Sequence, residues 1–251
     1  MTERENITGA EALLLSLLEE GVTDLFGYPG GAIIPLYDKL YDYTDRINHI
    51  LTRHEQGAVH AAQGYARATG RTGVCMATSG PGATNLITGI ADAMVDSTPL
   101  VCITAQVAAS LLGTDAFQEA DIISMTIPVT KWNHQVTSAA ELPETIAKAF
   151  YIARTGRPGP VVIDITKNAQ TEILDRFAST PCTGLRSYCP EPVVDDESVD
   201  RAVELINASR RPLMIVGQGV ELSGGEADAV RLAEKCAIPM ASTLMGLSAV
   251  S

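Results

Sequence analysis

Basic residues are few in this sequence: 18 Lys and Arg stand against 30 Asp and Glu, for a formal net charge of −12. They are scattered, so no face is available to neutralise nucleic-acid phosphates in bulk. A small anionic substrate needs only one or two well-placed cations and stays open. Cysteine is sparse too. The five, Cys75, Cys102, Cys182, Cys189 and Cys236, form no C-x-x-C pair, and an odd number argues against a disulfide framework. Cys75 and Cys102 lie in apolar runs and read as small core residues. No apolar run reaches the ~18 residues of a membrane span. The polar start, Met1 to Asn6, is unlike a secretory signal. A reducing cytoplasm is the expected compartment. The four histidines, His49, His54, His60 and His134, lack metal-ligand spacing, so no metal site is expected among them.

What is present is enough apolar material, 46% of 251 residues, for a real core. Thr8-Gly9-Ala10-Glu11 reads as a capping box, with Leu13, Leu14, Leu17 and Leu18 following at helical spacing. Short apolar runs at 24–28, 47–52, 73–78, 100–104 and 161–165 predict strands. Helices are predicted between them at 31–43, 56–69, 83–95 and 141–154. Such alternation predicts an α/β fold on a parallel sheet. From Asn168 to Asp195 the rhythm fails, and Pro181, Pro190 and Pro192 mark a linker. Helix–strand alternation resumes after it. The expected organisation is a domain over 1–168, a linker over 169–195 and an incomplete second α/β domain over 196–251. Two strands cannot cover their own sheet, so a truncated chain is expected.

Three glycine-rich turns stand at predicted strand-to-helix junctions, where open α/β sheets place ligands. They are Gly27-Tyr28-Pro29-Gly30-Gly31-Ala32, Ser79-Gly80-Pro81-Gly82-Ala83-Thr84-Asn85 and Gly217-Gln218-Gly219. None is a Walker loop, and the second has Asn85 where a dinucleotide fingerprint needs its third glycine. Taken singly, each reads as plain connection. Glu55, in Arg53-His54-Glu55-Gln56-Gly57-Ala58, is open to two readings. It is either a first-turn glutamate favoured by the helix dipole, or a carboxyl group held away from water that can exchange a proton near neutrality. Gly57, Ala58, Ala61, Ala62, Gly64 and Ala66 favour the second by letting the helix pack closely.

The ordered strings at 27–32, 53–58, 78–85, 113–119 (Gly-Thr-Asp-Ala-Phe-Gln-Glu) and 156–161 (Gly-Arg-Pro-Gly-Pro-Val) resemble the acetolactate synthase catalytic subunits. The resemblance runs from residue 7 to about residue 247. It implies a pyrimidine-binding domain followed by the start of an FAD-binding central domain. The implied activity decarboxylates pyruvate on thiamine diphosphate and joins the two-carbon unit to a second 2-keto acid, in branched-chain amino-acid biosynthesis. Glu55 would hydrogen-bond N1′ of the cofactor aminopyrimidine. Tyr28, Gly31, Ala32, Pro81, Asn85 and Gln118 would surround the thiamine diphosphate. Phe117 and Lys167 would shape the substrate channel. Arg157, Gly217, Gln218, Gly219, Thr243 and Leu244 would contact FAD. As isolated residues, Phe117 reads as core, Lys167 as a solvated strand end and Arg157 as a surface charge. The resemblance also implies a homodimer or tetramer of the full-length enzyme, a regulatory small subunit, and pyruvate or 2-ketobutyrate as keto acids.

The sequence departs from the family in three places. Gly-Gln-Val-Pro becomes Ala105-Gln106-Val107-Ala108, which is expected to shift the following loop. Gly-Leu-Gly becomes Gly246-Leu247-Ser248. The Gly-Asp-Gly motif that binds the diphosphate through Mg²⁺ does not occur. Alternatives are another thiamine enzyme such as a pyruvate oxidase, which the 113–119 string opposes, or a non-catalytic binding module. A glyoxylate carboligase would lack Glu55. The expected outcome for the purified 251-residue chain is no acetolactate from pyruvate with thiamine diphosphate, Mg²⁺ and FAD; turnover would contradict it.

Overall fold

Thr8 begins the first helix, as predicted, with its hydroxyl accepting a hydrogen bond from the Glu11 backbone N–H. Only half of the predicted capping box forms. The Glu11 carboxylate turns instead to the Tyr43 hydroxyl at 2.8 Å and to Arg4 at 3.0 Å. The computed structural model describes residues 4–250. Two compact units divide the chain, Met1–Glu191 and Pro192–Ser251.

The first unit holds strands β1 (Arg4–Thr8), β2 (Asp24–Tyr28), β3 (Asn48–Leu51), β4 (Gly73–Ala77), β5 (Leu100–Gln106), β6 (Trp132–Val136), β7 (Pro160–Thr166) and β8 (Ile173–Phe177). Its helices are α1 (Gly9–Glu19), α2 (Ile34–Leu40), α3 (Glu55–Thr69), α4 (Pro81–Asn85), α5 (Ile87–Val95), α6 (Ile122–Thr126), α7 (Leu142–Arg154) and α8 (Lys167–Thr171). Six strands make one parallel sheet in the order β3-β2-β4-β5-β7-β6. The α/β expectation holds.

Alternation along the strands fills both faces. Val74, Met76, Val101, Ile103, Val161 and Ile163 meet α1, α2 and α7 on one side. Cys75, Ala77, Cys102 and Val162 meet α3 and α5 on the other. Each such fully buried aliphatic side chain contributes roughly 1.5–3 kcal/mol. The close approach of α3 comes in part from residues expected to allow it, Ala58, Ala62 and Ala66, which are buried in the core. Gly57 and Gly64 face open space, whereas a Cβ on Gly89 of α5 would stand 2.3 Å from Val59. One on Gly73 would stand 2.2 Å from the Ala62 carbonyl oxygen. The helix is trimmed at its alanines and the neighbours at their glycines.

Strands β1, β6 and β8 were not expected, because polar edge segments carry little alternation. β6 is a sheet edge, and β1 pairs antiparallel with β8. The first unit therefore runs on past residue 168, through part of the segment expected as linker. Tyr188 ties that segment down, accepting from the Lys131 ammonium at 3.0 Å and donating to the Thr155 carbonyl at 2.7 Å. The expected helix 83–95 is divided at Leu86 into α4 and α5. At the Ala105 and Ala108 departures the local conformation is ordinary. Ala105 is buried within β5, and Ala108 adopts φ −59° and ψ 145°, which a proline would also occupy.

In the second unit, α9 (Asp196–Ala208) is capped by Asp195, whose carboxylate accepts from the Ser198 N–H at 3.1 Å. Then come β9 (Met214–Val216), α10 (Gln218–Leu222), α11 (Glu226–Cys236) and β10 (Met240–Ser242), with β9 and β10 paired in parallel. Among the described residues no helix is long and apolar enough to cross a membrane, and all five cysteines are free.

Asp164 is a fully buried carboxyl group within the sheet, opposite Thr104 of β5 and Gln135 of β6. Burial pushes its carboxyl up to about 6, against hydrogen bonds from Thr104, Gln135 and Gln106 that pull it down, while nearby Asp121 adds to the rise. The unfolded group loses its proton near 3.8, so between 3.8 and about 6 rising pH costs the fold stability. The cost approaches roughly 3 kcal/mol. Asp164→Asn, equal in shape and uncharged, should therefore melt higher than the wild type above about pH 6. The gain should shrink as pH falls toward 3.8, as thermal melts across that range will register.

Candidate active site

Parallel strands place their following loops at one edge, and every first-unit residue singled out from the sequence except Arg157 emerges there. Tyr28 ends β2 and is 41% exposed. Glu55 opens α3 just after β3, preceded by His54, whose ring nitrogen accepts from the Gln56 N–H. Pro81 and Asn85 bound α4, after β4. Lys167 is exposed at the head of α8, after β7.

Glu55 is buried, only 8% exposed. Both positional elements of the sequence readings are observed: the residue stands in the first turn of α3, and its carboxyl group is held away from bulk water. Its Oε2 accepts a hydrogen bond from the Asn85 side-chain amide at 3.0 Å. Its Oε1 receives none from the described residues, and a Cβ on Gly82 would stand 3.2 Å from it. The Gly82 backbone therefore lies against the carboxylate, where a side chain would crowd both it and Thr78.

Thr78, which sequence reasoning quoted but gave no role, organises the neighbouring turn. Its hydroxyl accepts from the Ala32 N–H at 3.2 Å. Cβ atoms on Gly30 and Gly82 would come within 2.4 Å and 2.6 Å of its methyl carbon. The Ala32 carbonyl accepts from Gln170 at 3.0 Å, and Gln170 is almost fully buried with its own carbonyl oxygen unpartnered. Gly31 and Ala32 are thereby held from both sides. Beneath them Tyr37 and His49 share a hydrogen bond of 3.2 Å. Burial, with Cys75 and Glu55 nearby, pushes the Tyr37 hydroxyl up, and burial pulls the His49 imidazole down, so His49 is neutral at neutral pH. No sequence signal marked Tyr37, His49 or Gln170.

The 113–119 string forms a strained loop. Gly113, Asp115 and Gln118 all have positive φ, at 76°, 58° and 59°, which costs a non-glycine residue ~1 kcal/mol or more. The Glu119 carboxylate accepts from the N–H groups of Gly113 and Ala116, the latter at 3.0 Å. Phe117 is 88% exposed and not core. Gln118 lies over the Gly80 turn so closely that a Cβ on Gly80 would stand 2.6 Å from its carbonyl oxygen. Phe117 and Gln118 thus belong to the same edge as Glu55.

Arg157 stands apart, just before β7 at the opposite edge of the sheet. Its guanidinium donates to the Ser97 hydroxyl at 2.7 Å and to the Val95 carbonyl at 2.9 Å. In the second unit, Gly217, Gln218 and Gly219 open α10, and a Cβ on Gly217 would lie 3.6 Å from the Thr243 hydroxyl. Thr243 is joined to Val216 by a backbone bond of 2.9 Å, and Leu244 beside it is 81% exposed. These five residues cluster past the ends of β9 and β10. No group of three or more potential metal ligands occurs among the described residues.

Two family models match the chain: the thiamine pyrophosphate enzyme N-terminal TPP-binding domain over residues 7–125, and the thiamine pyrophosphate enzyme central domain over residues 199–251. The acetolactate synthase large subunit of Corynebacterium glutamicum is 51% identical over 243 residues, covering 97% of this chain and 38% of that protein. The acetolactate synthase large subunit of Mycobacterium tuberculosis is 50% identical over 246 residues, 98% of this chain and 39% of the relative. The acetolactate synthase of Arthrospira platensis is 47% identical over 245 residues, 96% and 42% respectively. The chain spans about two fifths of the length of these relatives.

The bonds that Glu119 makes hold its carboxyl below the ordinary 4.5. A group so depressed stabilises its loop above that value and ceases to do so as pH falls through the lowered one. Protection of the Gly113 and Ala116 amides against hydrogen exchange, corrected for intrinsic rates, should hold down to pH 4.5 and drop only below it. Loss of protection well above 4.5 would contradict this assignment.

Proposed function

We propose, on the premise that this chain belongs to the acetolactate synthase large-subunit family, that it forms the aminopyrimidine-binding wall of a site that decarboxylates pyruvate and joins the two-carbon unit to a second 2-keto acid. The observation that carries the reading is Glu55: buried, with one oxygen held by Asn85 and the other bonded to none of the described residues. An N–H or protonated ring nitrogen of a flat heterocycle fits that demand. Thiamine diphosphate, when bound, supplies the electron sink for decarboxylation.

The chain's own residues then have separable tasks. Glu55 takes or shares the proton at the pyrimidine nitrogen, and Asn85 keeps its carboxylate from rotating. Gly30 and Gly82 let their turns close on Thr78, with Pro81 and Tyr28 at the sides of the ring. Gly31 and Ala32 stand near the reacting carbons, and Gln118 closes over the Gly80 turn. Phe117 narrows the approach, and Lys167 supplies a cation for a keto-acid carboxylate. Gly217, Gln218, Gly219, Thr243 and Leu244 take FAD; for Arg157 the same role requires that the guanidinium leave Ser97 and Val95. Mg²⁺ is assigned to residues outside this stretch. We also assign the molecule to the cytoplasm, to a homodimer or tetramer and to a regulatory small subunit, on family resemblance alone. The domain limits proposed for these roles are 1–168 for the pyrimidine-binding part and 196–251 for the central part.

A chimera tests the reading directly. Residues 7–247 replace the corresponding part of the Corynebacterium glutamicum relative, and acetolactate is measured from pyruvate. The chimera should turn over, and Glu55→Gln within it should lower kcat by about 100-fold or more. A folded chimera whose rate is indifferent to Glu55→Gln would overturn the proposal.

A further inference from the structure

The loop carrying Phe117 and Gln118 is strained at two residues, Asp115 and Gln118, so something must over-determine it. Glu119 ties its interior, as described above. Its exit is tied differently. The Ala120 carbonyl accepts a hydrogen bond of 2.8 Å from the Gln106 side-chain amide at the end of β5. The same amide nitrogen donates its other hydrogen to Asp164 Oδ2 at 3.1 Å. The Gln106 carbonyl oxygen accepts from the Val107 N–H at 2.9 Å. With oxygen and both amide hydrogens engaged, the Gln106 side chain has one orientation.

Asp164 is the hub of that arrangement. Its Oδ1 accepts from the Thr104 hydroxyl at 2.6 Å, and its Oδ2 accepts from Gln135 at 3.0 Å as well as from Gln106. Asp164, Thr104 and Gln106 are each 1% exposed or less. A buried carboxyl group at this cost, where an apolar residue would pack as well, calls for a reason other than stability. The reason on the page is what Gln106 reaches.

We propose that Asp164 is a positioning residue: by orienting Gln106 it fixes the Ala120 carbonyl, and with it the strained loop that carries Phe117 and places Gln118 over the Gly80 turn. The importance of this for turnover rests on the roles given above to Phe117 and Gln118. The positioning itself does not, and it can be measured without cofactor or substrate.

The test is amide hydrogen exchange in the full chain, comparing residues 113–121 with α1. Asp164→Leu removes every acceptor, and Gln106→Met removes only the arm to Ala120, which keeps the test alive if the first variant fails to fold. In both, exchange over 113–121 should speed up by about tenfold, with α1 unchanged. Asp164→Asn is the rescue. Its carbonyl oxygen accepts from both glutamines and its amide donates to the Thr104 hydroxyl, so exchange should stay within about threefold of wild type. Unchanged loop exchange in folded Gln106→Met would overturn the proposal. So would equal acceleration of α1 and the loop, or an Asn variant as loose as the Leu variant. None of these outcomes bears on Glu55, whose role the chimera decides separately.

Discussion

Everything at this edge of the sheet depends on a carboxylate that is sheltered from water and only half satisfied. Glu55 is placed at the first turn of α3 by the end of β3, and Asn85 occupies one of its oxygens. Its other oxygen has no protein partner among the described residues and is open to a donor, from water or from a ligand. An acceptor without a protein partner, at the loop edge of a parallel sheet, is the physical description of a binding site. The glycines matter here as absences: at Gly30 and Gly82 any side chain would strike Thr78, and at Gly82 it would crowd Glu55 too.

The rest of the first unit can be seen as what keeps that carboxylate in place. Gly89 lets α5 lie against Val59 of α3, and Gly73 lets β4 approach Ala62, so the helix bearing Glu55 is seated on two sides. Thr78 and Gln170 hold the turn at Ala32 from above and below. Asp164 and Gln106 anchor the exit of the 113–119 loop. Polar side chains at the ends of buried strands thus perform the fixing, while the apolar strand centres provide the rigidity.

Legibility in the sequence follows the same division. The buried parallel strands were visible because β-branched runs bounded by glycine turns have few other uses. Strands β1, β6 and β8 were not, since half-exposed edges alternate weakly. The burial of Glu55 was foreseen, and Ala58, Ala62 and Ala66 pack closely as expected; Gly57 and Gly64 face outward, and Gly89 and Gly73 supply the rest of the contact. Phe117 as core and Lys167 as solvated strand end were the readings of isolated residues; the first fails against 88% exposure. Thr78, Gln106, Asp164 and Gln170 carried no signal. Their partners lie on other strands or loops, and no local pattern records such pairings.

The central claim is that Glu55 Oε1 is an acceptor awaiting a pyrimidine donor. The most direct measurement is the ¹³C spectrum of the chain labelled at glutamate carboxyl carbons, with the Glu55 line identified by its loss in Glu55→Gln. Addition of thiamine should move that line while leaving the line of Glu119, whose oxygens are already bonded within its own loop, where it was. A Glu55 line that stays fixed at saturating thiamine, or one that moves no more than Glu119, would contradict the account.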